Sequence, residues 1–303
     1  MKIISVNNTL YNEEVAIVLG DFDGLHIGHQ ALINTVKEEA KINNIKSSVL
    51  FFQNHTRLIT RKDKDLTLLS DNEQKLSILQ DLDIDTVYTI DFNEELMSLS
   101  GEEFVKKILL DKLNTKVVVV GFNYKFGHKA SCDADTLREL GEKYGFKVVV
   151  VNPVCIDGEL ISSTLIRKLI KEGNILKVNN LLGRNYSIKG EVIDGHKRGG
   201  RLGFPTANLK MDHNFTMPKF GVYKTNTIID NEEYLSVTSV GINPTYNEKD
   251  IKIETHIIDF EKNIYGKKIE ISFLEYMRDE IKFNTEKELI EQINEDIKYA
   301  KMK

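Results

Sequence analysis

Two histidines three residues apart, His26 and His29, lie in Gly20-Asp21-Phe22-Asp23-Gly24-Leu25-His26-Ile27-Gly28-His29. Imidazoles at i and i+3 on a first helical turn share a face. They can donate to non-bridging phosphoryl oxygens, whose negative charge grows during phosphoryl transfer. The chemistry implied is attack on a nucleotide phosphorus. A His pair alone can also be a metal half-site or, as isolated pairs usually are, two capped surface imidazoles. The glycines at 20, 24 and 28 and the apolar run from Val15 to Leu19 ahead of them favour the phosphate, because a metal pair needs neither. A strand, a glycine-bearing turn and a helix start aim free N–H groups and a positive dipole end at one point.

Three further clusters carry related chemistry. Gly121-Phe122-Asn123-Tyr124-Lys125-Phe126-Gly127 follows another apolar run, Val117 to Val120, so its Asn and aromatics are expected at the same sheet edge as the His pair. Ile161-Ser162-Ser163-Thr164-Leu165-Ile166-Arg167 opens a helix. Its hydroxyls are ordinary caps, but a cation on the first turn opposes the dipole unless an anion is bound. The stretch from Gly195 to Asn208 combines glycines with Lys197, Arg198 and Arg201, as expected of a loop that wraps a triphosphate. On its extended end Thr206 and Asn208 point the same way and offer neutral oxygens to a Mg²⁺ already bound to phosphates. Where the acceptor of a phosphoryl group is an alcohol, a carboxylate must accept the hydroxyl proton. By itself Glu254, in Ile253-Glu254-Thr255-His256, reads as a strand residue on a solvated face.

These motifs resemble two known families. His26-Ile27-Gly28-His29 is similar to the HIGH signature of the nucleotidyltransferase superfamily, and Gly20 to His29 resembles its form in bacterial FAD synthetases. The resemblance implies nucleotide contacts from Gly20, Phe22, Asp23, Gly24 and Gly28 around catalytic His26 and His29. It likewise gives Asn123 to ATP and Phe126 to the flavin, and gives Ser163, Thr164 and Arg167 to the departing pyrophosphate. Family members carry a Pro-His-Pro-like sequence where this chain has Phe51-Phe52-Gln53-Asn54-His55-Thr56, so only His55 is carried over, as a flavin contact. Gly203-Phe204-Pro205-Thr206-Ala207-Asn208 resembles the signature of riboflavin kinases. That implies phosphate contacts from Gly195, Lys197, Arg198 and Arg201, metal binding by Thr206 and Asn208, Glu254 as the base, and Arg278 on the flavin side. The implied reactions are riboflavin plus ATP to FMN plus ADP, then FMN plus ATP to FAD plus pyrophosphate, both with Mg²⁺.

The elements that must position these residues follow from periodicity. Up to residue 184, apolar strands (15–19, 49–52, 85–90, 117–120, 148–151) alternate with amphipathic helices (30–41, 73–82, 100–113, 135–143). This predicts a parallel sheet covered on both faces, with ligands at the carboxyl ends of its strands. From residue 185 short alternating strands take over (187–193, 221–229, 235–240, 252–258, 268–274), predicting a small antiparallel barrel, closed by a helix over 285–302 whose Leu289, Ile290, Ile293 and Ile297 face it. The fold class expected is α/β plus β-barrel: a Rossmann-like nucleotidyltransferase domain over 1–184 and a riboflavin-kinase-like barrel over 185–303.

Composition bounds the rest. The chain has 303 residues, 41% of them apolar, enough for two cores. A net charge of -5 argues against a general nucleic-acid surface. Cys132 and Cys155 are unclustered, which indicates neither a disulfide framework nor a zinc site. With no 18-residue apolar stretch, a soluble cytoplasmic protein without membrane partners is expected; the oligomeric state stays open. Two rival readings are a chain that retains only one activity and a flavin-sensing regulator without turnover.

Overall fold

The computed structural model describes residues 1–6, 12–53, 66–194, 202–242 and 251–302. The chain forms two compact units, Met1–Leu66 with Asp71–Ser162, and Thr67–Ser70 with Ser163–Lys303.

The first unit is built on a six-stranded sheet. In chain order its strands are β1 (Lys2–Ser5), β2 (Val15–Leu19), β3 (Lys46–Phe52), β4 (Thr86–Ile90), β5 (Thr115–Gly121) and, after the short pair β6 (Lys125–Phe126) and β7 (Cys132–Asp133), β8 (Lys147–Val151). They lie in the order β1-β4-β3-β2-β5-β8, every pairing parallel. A short hairpin, β9 (Cys155–Ile156) and β10 (Glu159–Leu160), follows. The helices are α1 (Ile27–Asn43), α2 (Asn72–Asp81), α3 (Glu94–Ser98), α4 (Gly101–Phe104), which runs on as a π-helical turn over Val105–Leu110, and α5 (Ala134–Tyr144), ended by Gly145 at φ 79°.

β2 is buried along its whole length, as a central parallel strand covered on both faces must be. Ala16 and Val18 pack with Leu32, Ile33 and Val36 of α1, whereas Ile17 and Leu19 pack on the opposite side with Phe104, Ile108 and Leu137. This alternation fixes β2 in register, and so fixes the turn that leaves it.

The second unit is a closed barrel of β11 (Tyr186–Ile193), β12 (Ala207–Met211), β13 (Gly221–Ile229), β14 (Glu232–Ile242), β15 (Ile251–Ile257) and β16 (Lys268–Arg278), in the order β11-β12-β15-β14-β13-β16 and antiparallel throughout. Two helices, α6 (Ser163–Lys171) and α7 (Ile175–Leu182), precede it and α8 (Glu286–Lys301) follows. Asn179 of α7 ties that helix to the barrel at both ends of its amide, accepting from Tyr186 N at 2.8 Å and donating to Phe273 O at 2.9 Å. The four residues Thr67–Ser70 also belong here. Leu68 N donates to Asn214 O and Thr216 N to Leu68 O, each at 2.8 Å, and the Thr67 and Thr216 hydroxyls meet at 2.8 Å.

The barrel interior holds a cluster of hydroxyls. Thr225, Thr227, Ser236, Thr238 and Thr255 are all at 0% exposure, and Thr225 bonds Ser236 and Thr238, Thr227 bonds Ser236, and Thr238 donates to Thr255 at 2.9 Å. Because each hydroxyl both donates and accepts, such a cluster satisfies itself without water.

Candidate active sites

In the first unit the chain leaves β2 and must reverse into α1 within seven residues. Phe22 (φ 50°) and Leu25 (φ 40°) take left-handed backbone, with Gly24 at φ 79° between them. Two non-glycine residues in that region cost roughly 1–3 kcal/mol each. Both side chains are at 0% exposure, and their burial, worth about 1.5–3 kcal/mol apiece, offsets that strain.

His26 is the N-cap of α1 and not a first-turn residue: its Nδ1 accepts from His29 N at 3.2 Å. Accepting there leaves the proton of the neutral ring on Nε2. The two imidazoles stack with centroids 3.7 Å apart and planes 12° from parallel. Gly28 makes this possible, since a Cβ there would meet His26 Cε1 and Nδ1 at 3.1 Å. Gly20 does the same for the turn, where a Cβ would come within 3.1 Å of the Phe22 ring. His26 is buried and His29 half-buried. Burial holds His29 well below the usual histidine range; His26 and Lys75 push the same way, and Asp23 opposes them. His29 Nδ1 is a buried nitrogen with no hydrogen-bond partner. No acidic residue occupies the first turn of α1. A stacked imidazole pair at a helix N-terminus can receive an anion by hydrogen bonding.

Asn123 lies exposed on the turn after β5, folded back so that a Cβ on Gly121 would touch its Oδ1 at 3.4 Å. β5 pairs directly with β2, so this turn and the histidine turn share the carboxyl edge of the sheet. Burial pushes the Tyr124 phenol up, and the negative charge of Asp21 adds to the effect.

Three residues expected to contact ligands also pack within the fold. The Phe22 side chain is wholly buried and stands edge-on to His29 at 5.5 Å, so it props that imidazole from below. Phe126 is buried in the core cluster, stacked on Tyr124 at 5.7 Å and tilted against Phe104. Arg278 gives Nε and Nη2 to Asp296 of α8 at 2.9 and 2.6 Å and Nη1 to Asp279 O, a bidentate pair that fastens the terminal helix. A sequence does not distinguish an arginine reserved for a ligand from one satisfied by a helix eighteen residues onward. Lys75 is the residue that sequence reading missed here: 4% exposed, it lies 5.3 Å from the Phe51 ring centroid, and its charge reaches His29. A lysine in an amphipathic helix reads as a solvent-facing one, so no local signal marked it.

Ser163, Thr164 and Arg167 fall in the second unit, on α6. Arg167 is the fifth helical residue, beyond the first turn on which it was expected, and its Nε donates to Thr67 O at 2.8 Å. His55, Gly195, Lys197, Arg198 and Arg201 lie outside the described residues.

On the barrel, Ala207 pairs with Thr255 and Asn208 with Glu254. Residues directly opposite in an antiparallel pair project from the same face, so Asn208 and Glu254 share one, and Thr206 stands immediately ahead of β12. β15 alternates: Ile253, Thr255 and Ile257 are buried, whereas Lys252, Glu254 and His256 are half-buried on the face of Asn208. Lys252 Nζ sits 2.8 Å from Glu254 Oε1, and His256 Nδ1 lies 2.9 Å from Pro205 O. Both partners were readable from the period-two pattern once β15 was assigned. Thr206 and Asn208 supply hard, neutral oxygen atoms, the donor type that Mg²⁺ accepts beside phosphate. Among the described residues no group of three or more His, Cys, Asp or Glu could hold a metal ion, so any cation here would draw most of its ligands from phosphate and water.

Comparison with known proteins bears on both sites. The FAD synthetase family matches residues 8–165 and the riboflavin kinase family residues 182–303. Proteins named bifunctional riboflavin kinase/FMN adenylyltransferase are similar along almost all of the chain. The one from Buchnera aphidicola subsp. Schizaphis graminum is 35% identical over 96% of this chain and 94% of its own, and that of Bacillus subtilis is 35% identical over 98% and 96%. A crystal structure described as a macrolide-efflux protein from Streptococcus pneumoniae superposes with a TM-score of 0.91 at 28% identity, covering 100% of both chains. Among the described residues of this chain, no helix is long and apolar enough to cross a membrane.

Proposed function

The chain belongs to the bifunctional riboflavin kinase/FMN adenylyltransferase family, and from that premise we propose how its residues divide the two reactions. It is a transferase that phosphorylates riboflavin to FMN and adenylylates FMN to FAD, spending ATP in each step. The adenylylating machinery is assigned to 1–184 and the kinase machinery to 185–303. FAD, FMN, riboflavin and ATP are its small-molecule partners, and the cytosol is its proposed location.

In adenylyl transfer an FMN phosphate oxygen attacks the α-phosphorus of ATP, one P–O bond forms, and the bond to the bridging oxygen of pyrophosphate breaks. The nucleophile is already ionised near pH 7, so no protein base is required. His26 Nε2–H and the amides at the α1 N-terminus donate to the α-phosphoryl oxygens as their charge grows, His29 stacks beneath, and Asn123 contacts the nucleotide. Gly20, Asp23, Gly24 and Gly28 shape the cradle, while Ser163, Thr164 and Arg167 receive the leaving pyrophosphate. In the kinase step the primary hydroxyl of riboflavin attacks the γ-phosphorus and passes its proton to Glu254, and ADP leaves. Thr206 and Asn208 would hold Mg²⁺, which when bound spreads the triphosphate charge. Gly195, Lys197, Arg198 and Arg201 wrap the phosphates; in the adenylylating half His55 meets the flavin.

The observation that carries this reading is the pairing of Asn208 with Glu254, which supports a base and a metal-binding oxygen on one face of the barrel. Chromatography of flavin products after incubation with Mg-ATP tests it. His29→Ala is expected to stop FAD formation while FMN accumulates. Glu254→Ala is expected to stop FMN formation while supplied FMN is still converted to FAD. Loss of both products in either variant would overturn the assignment.

A further inference from the structure

Thr206 stands beyond the end of both ladders that hold the strand after it, one residue ahead of the first and two ahead of the second. β12 pairs with β15 only through Ala207 and Asn208, and with β11 from Asn208 to Met211. Upstream, Gly203 turns the chain at φ 88°, and Pro205 has no N–H to give to a ladder. What reaches this segment is a side chain from the neighbouring strand. The Nδ1 of His256 lies 2.9 Å from Pro205 O, and since a carbonyl only accepts, that nitrogen carries the proton. The same imidazole meets the Phe204 ring edge-on, with centroids 5.7 Å apart and planes at 78°. One ring therefore grips two consecutive residues immediately before Thr206, from a position two residues past Glu254 on the same face of β15.

We propose that His256 is a positioning residue for the kinase reaction: it clamps the Phe204-Pro205 turn and so fixes the Thr206 hydroxyl relative to Asn208 and Glu254. The inference rests on the kinase reading above and adds a residue to it. Phosphoryl transfer gains most of its rate from placement of charged oxygens, and a displacement of about 1 Å can cost roughly a hundredfold. A clamp lost from one side of a short turn should cost less than that, because Asn208 stays in its ladder.

The test uses the full chain and two substitutions. His256→Phe keeps a ring against Phe204 and removes the donor; His256→Gln keeps a donor and removes the ring. Both are assayed for FMN formation from riboflavin at varied Mg²⁺ and, as a control on the same polypeptide, for FAD formation from supplied FMN. His256→Phe is expected to lower the kinase kcat roughly tenfold and to raise the Mg²⁺ concentration needed for half-maximal rate. The riboflavin KM and the rate of FAD formation should stay within about twofold, and His256→Gln should recover most of the loss. An unchanged kinase kcat in His256→Phe, or a glutamine variant as impaired as the phenylalanine one, overturns the proposal, as does a parallel fall in both reactions. Failure of the underlying reading is separable, because Glu254→Ala would then leave FMN formation intact whatever His256 does.

Discussion

Gly28 and His29 make the most exacting demands on individual side chains. A methyl group at residue 28 would press on the capping imidazole at 3.1 Å, so Gly28→Ala is expected to tilt His26 and lower the rate of FAD formation by roughly ten- to a hundredfold, with FMN formation unchanged in the same product assay. His29 gives a pH dependence of stability. Its folded-state pKa lies well below the free value of 6.5, so below that pH the unfolded chain binds a proton that the folded one refuses. Resistance to denaturant is therefore full above pH 6.5 and declines as the pH falls below it, towards the folded pKa; His29→Gln should remove part of that slope. At this scale the sequence located the residues but not their geometry. The strand-turn-helix corner was legible from Val15–Leu19 and the glycines. The role of His26 as cap was not, because capping depends on where the helix begins, and it begins at Ile27 instead of Gln30.

Among elements, α8 shows how a charged residue can be structural. Asp296 is 5% exposed and receives two of the Arg278 donors, with Gln292 Nε2 adding a third contact at 3.1 Å. Removing one member of such a pair strands the other charge, so Asp296→Leu is expected to destabilise the second unit by about 3–5 kcal/mol in denaturant titrations. Replacing both, Asp296→Leu with Arg278→Met, should restore much of that loss. The helix itself was legible from its apolar stripe, and five of the six barrel strands from their alternation. β12 escaped because its glycine- and cation-rich approach dominated the reading of residues 195–208, and only two of its residues pair with β15. The short helix α7 escaped as well, since eight residues carry too little periodicity to stand out.

On the scale of the whole molecule, function and packing divide at different places. The family matches run over 8–165 and 182–303, whereas the compact units part at Ser163 and the second one includes Thr67–Ser70. A fragment of residues 185–303 would lose Asn179, whose amide serves Tyr186 N and Phe273 O, together with the Ile170 carbonyl that accepts from Lys219 N at 3.1 Å. It is expected to melt at a lower temperature than a fragment of 163–303, as circular dichroism would register. Neither fragment contains Thr67–Ser70, and a sequence read by local pattern gives no hint that four loop residues belong with a barrel so far downstream. Thr67 and Thr216 are 149 positions apart, so on a translating ribosome the earlier partner waits roughly seven to thirty seconds for the later one to be made. Until then the main-chain groups of Leu68 lack the Asn214 and Thr216 partners that they have in the folded chain, so this early stretch is docked on the closed barrel only after the barrel's own strands have been made.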